Sequence, residues 1–395
     1  MTHRYDYLIV GGGMTADAAV QGIREKDSSG TIGLISAEPD PPYDRPPLTK
    51  GLWKDKKEEE IWRKTAAQIT ELHLGRRAET LDPRRCEVTD DRGETFSFGK
   101  LLLAPGGSPR QLSFGGADIL YYRTFRDYKR LRALTEKARH FAVIGGGFIG
   151  SEIAAALAMN HKKVTLLFPG KGIGDRLFPA DLSSFLNGFY RDKGVQVLAG
   201  EKVAGLQKQG EQFLLRTENR TELQVDAVVA GLGIEPNVAL AQSAGLRVEN
   251  GIVVDEFLRT SLPKIYAAGD VANFYSSALS HRMRVEHEDN ANTMGRHAGR
   301  NMAGESEPYL HLPFFYSDLF ELGYEAVGDT DSRLTTTADW KEPFREGVIY
   351  YQREDKLRGV LLWNVWGKID AARKLIASNR SFRHEELKEQ LLEAA

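Results

Sequence analysis

The chain has 395 residues, enough for two or three domains. Apolar residues make up 41% and charged residues 27%, a balance that excludes a disordered chain. The formal net charge of −2 gives no global attraction to nucleic acid, and no apolar run reaches membrane-spanning length. The first residues run straight into a strand, with no apolar signal region and no Arg-rich transit segment, so a cytoplasmic setting is expected.

Residues 5 to 36 predict strand, turn, helix, strand, with the helix over Ala16 to Ile23 and the second strand at Thr31 to Ser36. A proline-rich segment, Pro39 to Lys50, follows; its prolines stiffen it and present Arg45 and Lys50 with little entropy left to lose. The charge run Lys54 to Glu60 reads as a solvated helix face. Cys86 is the single cysteine, which excludes a disulfide within the chain. It lies in Arg84 to Gly93, read as a strand entering a hairpin turn, and as an inert, half-buried thiol. Phe98 to Ala104 leads into Pro105-Gly-Gly-Ser-Pro109, the expected exit from a first domain.

The second half of the pattern repeats the first. Strands are expected near Phe141, at Val164 to Phe168 and at Val225 to Gly233, with a helix over Glu152 to Met159. Lys264 to Ala272 reads as a short buried strand with Asp270 at a helix N-terminus, and Val285 to Met302 as a long helix. Alternating strands such as Gly347 to Tyr351 and Gly359 to Trp363 then precede a helical pattern from Ile369.

Two glycine fingerprints carry the chemistry. They are Gly11-Gly-Gly13-Met-Thr-Ala16 and Gly145-Gly-Gly147-Phe-Ile-Gly150, each after an apolar strand and before a helix. The first Gly makes the turn, the second lets the backbone approach a pyrophosphate, and the third position packs helix on strand. Phosphates then meet unpaired N–H groups at the helix N-terminus. Two such units imply two dinucleotides and electron transfer between them. Glu38, just beyond the second strand, suits hydrogen bonds from an adenosine ribose, and Asp270 suits a ribityl hydroxyl. The order of these features points to FAD in the first unit and a nicotinamide dinucleotide in the second. The fold class expected is α/β, with two Rossmann-like domains and a C-terminal α+β domain carrying an antiparallel sheet. The boundaries expected are 1–115 with 241–308 for FAD, 116–240 for NAD(P), and 309–395 for the third domain.

These residues also carry a resemblance. The layout resembles the pyridine-nucleotide-dependent flavoprotein reductases of the glutathione-reductase structural class. Pro42-Tyr-Asp-Arg45-Pro-Pro-Leu-Thr-Lys50 is similar to the oxygenase-coupled ferredoxin reductases and the apoptosis-inducing factors. Leu167 to Gly172, Gly233 to Asn237, Arg284 to His287, Gly323 to Ala326, Leu362 to Asn364 and Ala372 to Lys374 resemble the latter more closely. The resemblance implies non-covalent FAD and NAD(P)H as co-substrate. It implies Lys50 and Arg45 along the flavin, with Glu152 as partner of that lysine. It places Glu286 and His287 over the isoalloxazine, with His287 among the catalytic residues beside Lys50 and Glu152. It implies Phe148 as an aromatic gate over the nicotinamide and Tyr316 near the cofactor, and adds Ala78, Ile149 and Gly233 to the cofactor-binding set.

Two departures stand out. Ala104-Pro105-Gly106 replaces the Ala-Thr-Gly usual in the family. Gly170 stands where a carboxylate for the adenine ribose is found, with Lys171 and Arg176 nearby, so discrimination between NADH and NADPH is expected to be modest. The stretch His281 to Asp289 matches no standard ligand spacing, so no metal is expected. One reading is an NAD(P)H oxidoreductase that passes electrons to a ferredoxin-like iron–sulfur protein or a quinone. A second is a redox sensor that forms a long-lived charge-transfer complex and dimerises on reduction. A disulfide reductase is disfavoured by the lone thiol. A monomer or homodimer is compatible with either.

Overall fold

A computed structural model describes residues 2–388 and 390–392. The chain forms two compact units. The first comprises 1–45, 57–108 and 235–313, and the second 46–56, 109–234 and 314–395.

The first unit is built on a sheet whose central strands are parallel. Strand Thr2–Val10 lies between Ile32–Ser36 and Thr95–Leu103, with Tyr7 opposite both Ile32 and Lys100. Ile265–Ala267 adds alongside Thr95–Leu103 with Ala267 opposite Leu103. Glu71–Leu74 forms one edge. An antiparallel hairpin, Ala78–Asp82 and Glu87–Asp90, extends from Thr95–Leu103 on the other side. Leu8, Ile9, Leu101 and Leu102 have no exposed surface, as expected for parallel strands covered on both faces. Helices Met14–Lys26 and Glu288–Met302 pack closely along one another. Three glycines allow that approach. A Cβ on Gly22 would strike the Arg296 carbonyl, on Gly295 the Thr15 carbonyl, and on Gly299 the Ala19 carbonyl.

The second unit holds a five-stranded parallel sheet in the order Val195–Ala199, Lys163–Phe168, His140–Ile144, Ala227–Ala230, Ile119–Tyr121. Its C-terminal part is a five-stranded antiparallel sheet in the order Phe314–Leu319, Leu322–Gly328, Lys356–Trp363, Glu346–Arg353, Thr335–Glu342. Helix Ile369–Ala377 follows it. Among the described residues no helix is long and apolar enough to cross a membrane.

Several expectations are corrected. The charge run at 54–60 is no helix; it is turn followed by a 3-10 turn at Glu58–Ile61, because seven like-patterned charged side chains offer no apolar stripe to pack. The run Val225 to Gly233 divides into Glu222–Val225 and Ala227–Ala230, which belong to different sheets. The long helix starts at Glu288, with Val285 to His287 outside it and His287 as its N-cap. Asp270 stands in a 3-10 turn, Gly269–Val271, that runs on into a strand rather than a helix. Cys86 is half-buried at a turn position with φ of 55°, one residue before its strand.

Candidate functional site

The first fingerprint has the geometry its spacing calls for. Gly11 has φ of 130°, and a Cβ there would run into the Ala104 carbonyl; no other residue suits that position. Gly13 is the N-cap of Met14–Lys26, and a Cβ on it would meet only the guanidinium of Arg45, 3.8 Å away. Ala16 is fully buried at the start of that helix. Gly269 brings the second loop in: its Cβ would strike Thr15 in the helix's first turn, so the Gly269-Asp270 turn lies against the same helix end. The result is an open backbone cradle at a helix N-terminus, which fits a pyrophosphate and the adjoining hydroxyls of FAD.

Glu38 follows the strand Ile32–Ser36. It receives hydrogen bonds from Tyr43 Oη at 2.7 Å and from the Arg45 guanidinium. Burial works against the charge of Arg45, and Tyr43, Glu38 and Asp270 more than offset it, raising its pKa. The proline-rich segment is pinned rather than loose. Asp44 N donates to the Ile61 carbonyl at 2.9 Å, and Arg63 N donates to the Pro42 carbonyl at 2.9 Å. Arg63 also ties Asp44 to Asp17, a carboxylate in the first turn of the fingerprint helix, at 2.7 and 3.1 Å. Arg63 and Asp17 have no local motif to announce them. Glu286 pairs with Arg284 at 2.6 Å, and Arg284 also donates to the Asp270 carbonyl at 2.9 Å. His287 is the N-cap residue of Glu288–Met302. Ala78 is half-buried at the start of its strand and packs on the core of the first unit.

The second fingerprint repeats the device. Gly145 has φ of 117° and its Cβ would strike the Gly231 carbonyl; a Cβ on Gly150 would strike the Gly145 carbonyl. Around Gly147 there is open space, the clearance a second pyrophosphate requires. Ile149 packs against Gly231, and Gly233, with φ of 78°, accepts from Arg110 N at 3.0 Å.

Two residues beyond Gly150 is Glu152, whose side chain is 3% exposed. It accepts from Lys50 Nζ at 2.7 Å, Thr49 Oγ1 at 2.5 Å and Ser317 Oγ at 2.5 Å. A buried carboxylate is tolerable only when paired and hydrogen-bonded in this way. The segment that delivers Lys50 is anchored: Trp53 Nε1 and Tyr122 Oη both donate to the Leu48 carbonyl, at 2.8 and 2.5 Å. Lys50 also lies over the ring of Tyr316, 5.3 Å from its centre. Phe148 meets Phe315 edge to face at 5.5 Å. Burial first, and the Glu152 charge second, push the Tyr324 hydroxyl well above its ordinary pKa. Thr49 and Ser317 are members the sequence reading missed. Thr49 could have been suspected from its neighbour Lys50, but Ser317 is 165 positions from Glu152 and carries no local signal.

Gly170 itself offers no carboxylate beyond Lys163–Phe168, but a Cβ there would run into the carboxyl group of Asp175, which accepts from Lys171 N at 3.0 Å. Five residues of loop return that acid to the place a side chain at 170 would fill. Lys171 and Arg176 are exposed.

Residues 5–295 match the family described as pyridine nucleotide-disulphide oxidoreductase. The chain belongs to that family. It is an FAD-dependent, NAD(P)H-dependent flavoprotein reductase without a redox disulfide. Residues 298–342 and 337–378 match the C-terminal family of mitochondrion-associated apoptosis-inducing factor. The chain is 35% identical to apoptosis-inducing factor 1, mitochondrial, of Dictyostelium discoideum, over 96% of this chain and 79% of that protein. It is 32% identical to the ferredoxin–NAD(+) reductase component of an anthranilate 1,2-dioxygenase system from Burkholderia cepacia, over 94% of each. Among solved structures, the covalent putidaredoxin reductase–putidaredoxin complex superposes with a TM-score of 0.91 at 28% identity, over 98% of this chain and 96% of that one.

Proposed function

We propose that the chain takes a hydride from NADH or NADPH onto FAD and passes the electrons to a small ferredoxin-like iron–sulfur protein. The observation that carries this reading is the buried Glu152 carboxylate, just past the second fingerprint, holding Lys50 through a 2.7 Å bond. Bound FAD accepts two electrons as a hydride and releases them singly, which a one-electron acceptor requires.

The chain's own residues divide the work. Gly11, Gly13 and Ala16 shape the helix end that would hold the FAD pyrophosphate, and Glu38 and Asp270 would accept from its ribose and ribityl hydroxyls. Gly145, Gly147 and Ile149 would do the same for the nicotinamide dinucleotide, with Phe148 and Gly233 lining its site. Lys50, aligned by Glu152, would offer a cation to the flavin. Arg45, Ala78, Glu286 and His287 would complete the first unit's part of the lining, and Tyr316 stands beside Lys50 in the second. The reductase relatives, matched over nearly their full length, support a ferredoxin-type acceptor over a quinone.

The test is anaerobic reduction of the purified flavoprotein by NADH or NADPH, then addition of a [2Fe–2S] ferredoxin with cytochrome c as terminal acceptor. Ferredoxin-dependent turnover well above the air-oxidation rate is expected. Its absence, with reduced flavin persisting in air and dimers appearing on reduction, would favour the redox-sensor reading, which the C-terminal family match supports.

A further inference from the structure

Away from the cofactor residues, at one edge of the first unit's sheet, three potential ligands converge. They are His3, Glu71 and His73, and among the described residues they alone form such a group. The strand period explains the meeting. His3 and Tyr5 are two apart on one strand, and Glu71 and His73 two apart on the edge strand, so each pair faces one way. Between them lies Gly33, where a Cβ would collide with the Tyr5 ring. The missing side chain lets Tyr5 reach across, where its hydroxyl donates to Glu71 Oε2 at 2.6 Å and meets His73 Nε2 at 2.9 Å.

The ligand atoms are spaced for a metal. His3 Nδ1 is 3.4 Å and His73 Nε2 3.6 Å from Glu71 Oε2, and all three lie within 4.8 Å of one another. Ligands about 2.0–2.1 Å from a tetrahedral zinc ion stand roughly 3.3–3.5 Å apart. The outer partners are also of the expected kind. The other nitrogen of His3, Nε2, is 3.3 Å from Glu94 Oε2, and Arg76 holds Glu94 at 2.5 Å. A carboxylate on the distal nitrogen fixes the orientation of a metal-binding imidazole. Phe96 supports both rings, stacked on His3 at 5.0 Å and edge-on to His73 at 4.8 Å. Glu71 is 48% exposed while His73 is 5% exposed, so the cluster has an anchored side and an open one.

We propose that His3, Glu71 and His73 form a binding site for a divalent transition metal of the zinc class, in which the ion takes the place of the Tyr5 hydroxyl between Glu71 and His73. Bound there, the ion ties the start of the first strand to the edge strand Glu71–Leu74 and stabilises the folded first unit, because only the folded chain assembles the three ligands.

The test uses the FAD-loaded protein after chelator treatment. Zn²⁺ is titrated by calorimetry, and thermal melting is followed with and without the ion. Cys86→Ser serves as the background, so that the thiol cannot contribute. One Zn²⁺ per chain and a higher melting temperature are expected. His3→Ala and Glu71→Gln, both at partly exposed positions, should each weaken binding by more than the roughly 10–100-fold that loss of an outer partner costs, and remove the melting shift. No binding by the background protein, or binding by both variants as tight as by the background protein, would overturn the site.

Discussion

Replacing Lys50 with Met keeps the bulk of the stem and removes the ammonium group that Glu152 holds at 2.7 Å. Two effects follow, and they separate. For stability, removing one partner of a buried pair costs about 3–5 kcal/mol when the remaining charge is stranded. Glu152 loses its countercharge but keeps two donors, Thr49 and Ser317 at 2.5 Å each. The cost should therefore fall to about 1.5–3 kcal/mol, that of one lost charge-assisted bond. For the reaction, loss of a charged interaction of about 1.5–3 kcal/mol at the reacting centre slows flavin reduction roughly ten- to a hundredfold. The double variant Lys50→Met with Glu152→Gln removes the unmatched charge and should recover most of the stability while staying slow. The assay is anaerobic stopped-flow reduction by NADH, with FAD content and melting temperature measured on each variant. Reduction at the wild-type rate in FAD-loaded Lys50→Met would refute a role for this pair in hydride transfer. Recovery of rate together with stability in the double variant would make the pair merely structural.

Other outcomes are equally direct. Asp175→Ala should lower kcat/KM for NADH and raise it for NADPH, about tenfold or more in their ratio, because a carboxylate at this place would accept from a ribose and repel a 2′-phosphate. An unchanged ratio would show that Asp175 does not set the preference. Cys86→Ser should leave flavin reduction and acceptor turnover unchanged, and lost turnover in a folded variant would restore a thiol route. Asp27 is held down to a pKa of about 2 by the N–H groups of Gly30 and Ser29 and by the Tyr7 hydroxyl. Its folded pKa lies below the usual 3.8. The stability it contributes is therefore present above pH 4 and lost as pH falls toward 2. Asp27→Asn should flatten the fall in melting temperature across that window, and an identical slope in both proteins would remove Asp27 from the acid response.

Most of the elements and both cradles are legible in the local sequence. Strand–glycine–helix is a local arrangement: Gly11 and Gly145 are required by their own positive φ, and Met14–Lys26 and Phe148–Met159 form where the apolar pattern puts them. Even so, the charge run at 54–60 and the divided strand at 222–230 were misread, because a short window does not reveal which sheet a strand joins. Tertiary structure alone decided the rest. Glu152 obtains its donors from residues about a hundred or more positions away, Asp17 is matched by Arg63, and Asp175 fills the space beside Gly170 by a loop turning back. The physical reason is one of range. Backbone conformation at a glycine is decided by its own missing side chain, whereas a buried charge is satisfied by whichever donors the packed fold brings within about 3 Å, and that distance is not written in any local spacing.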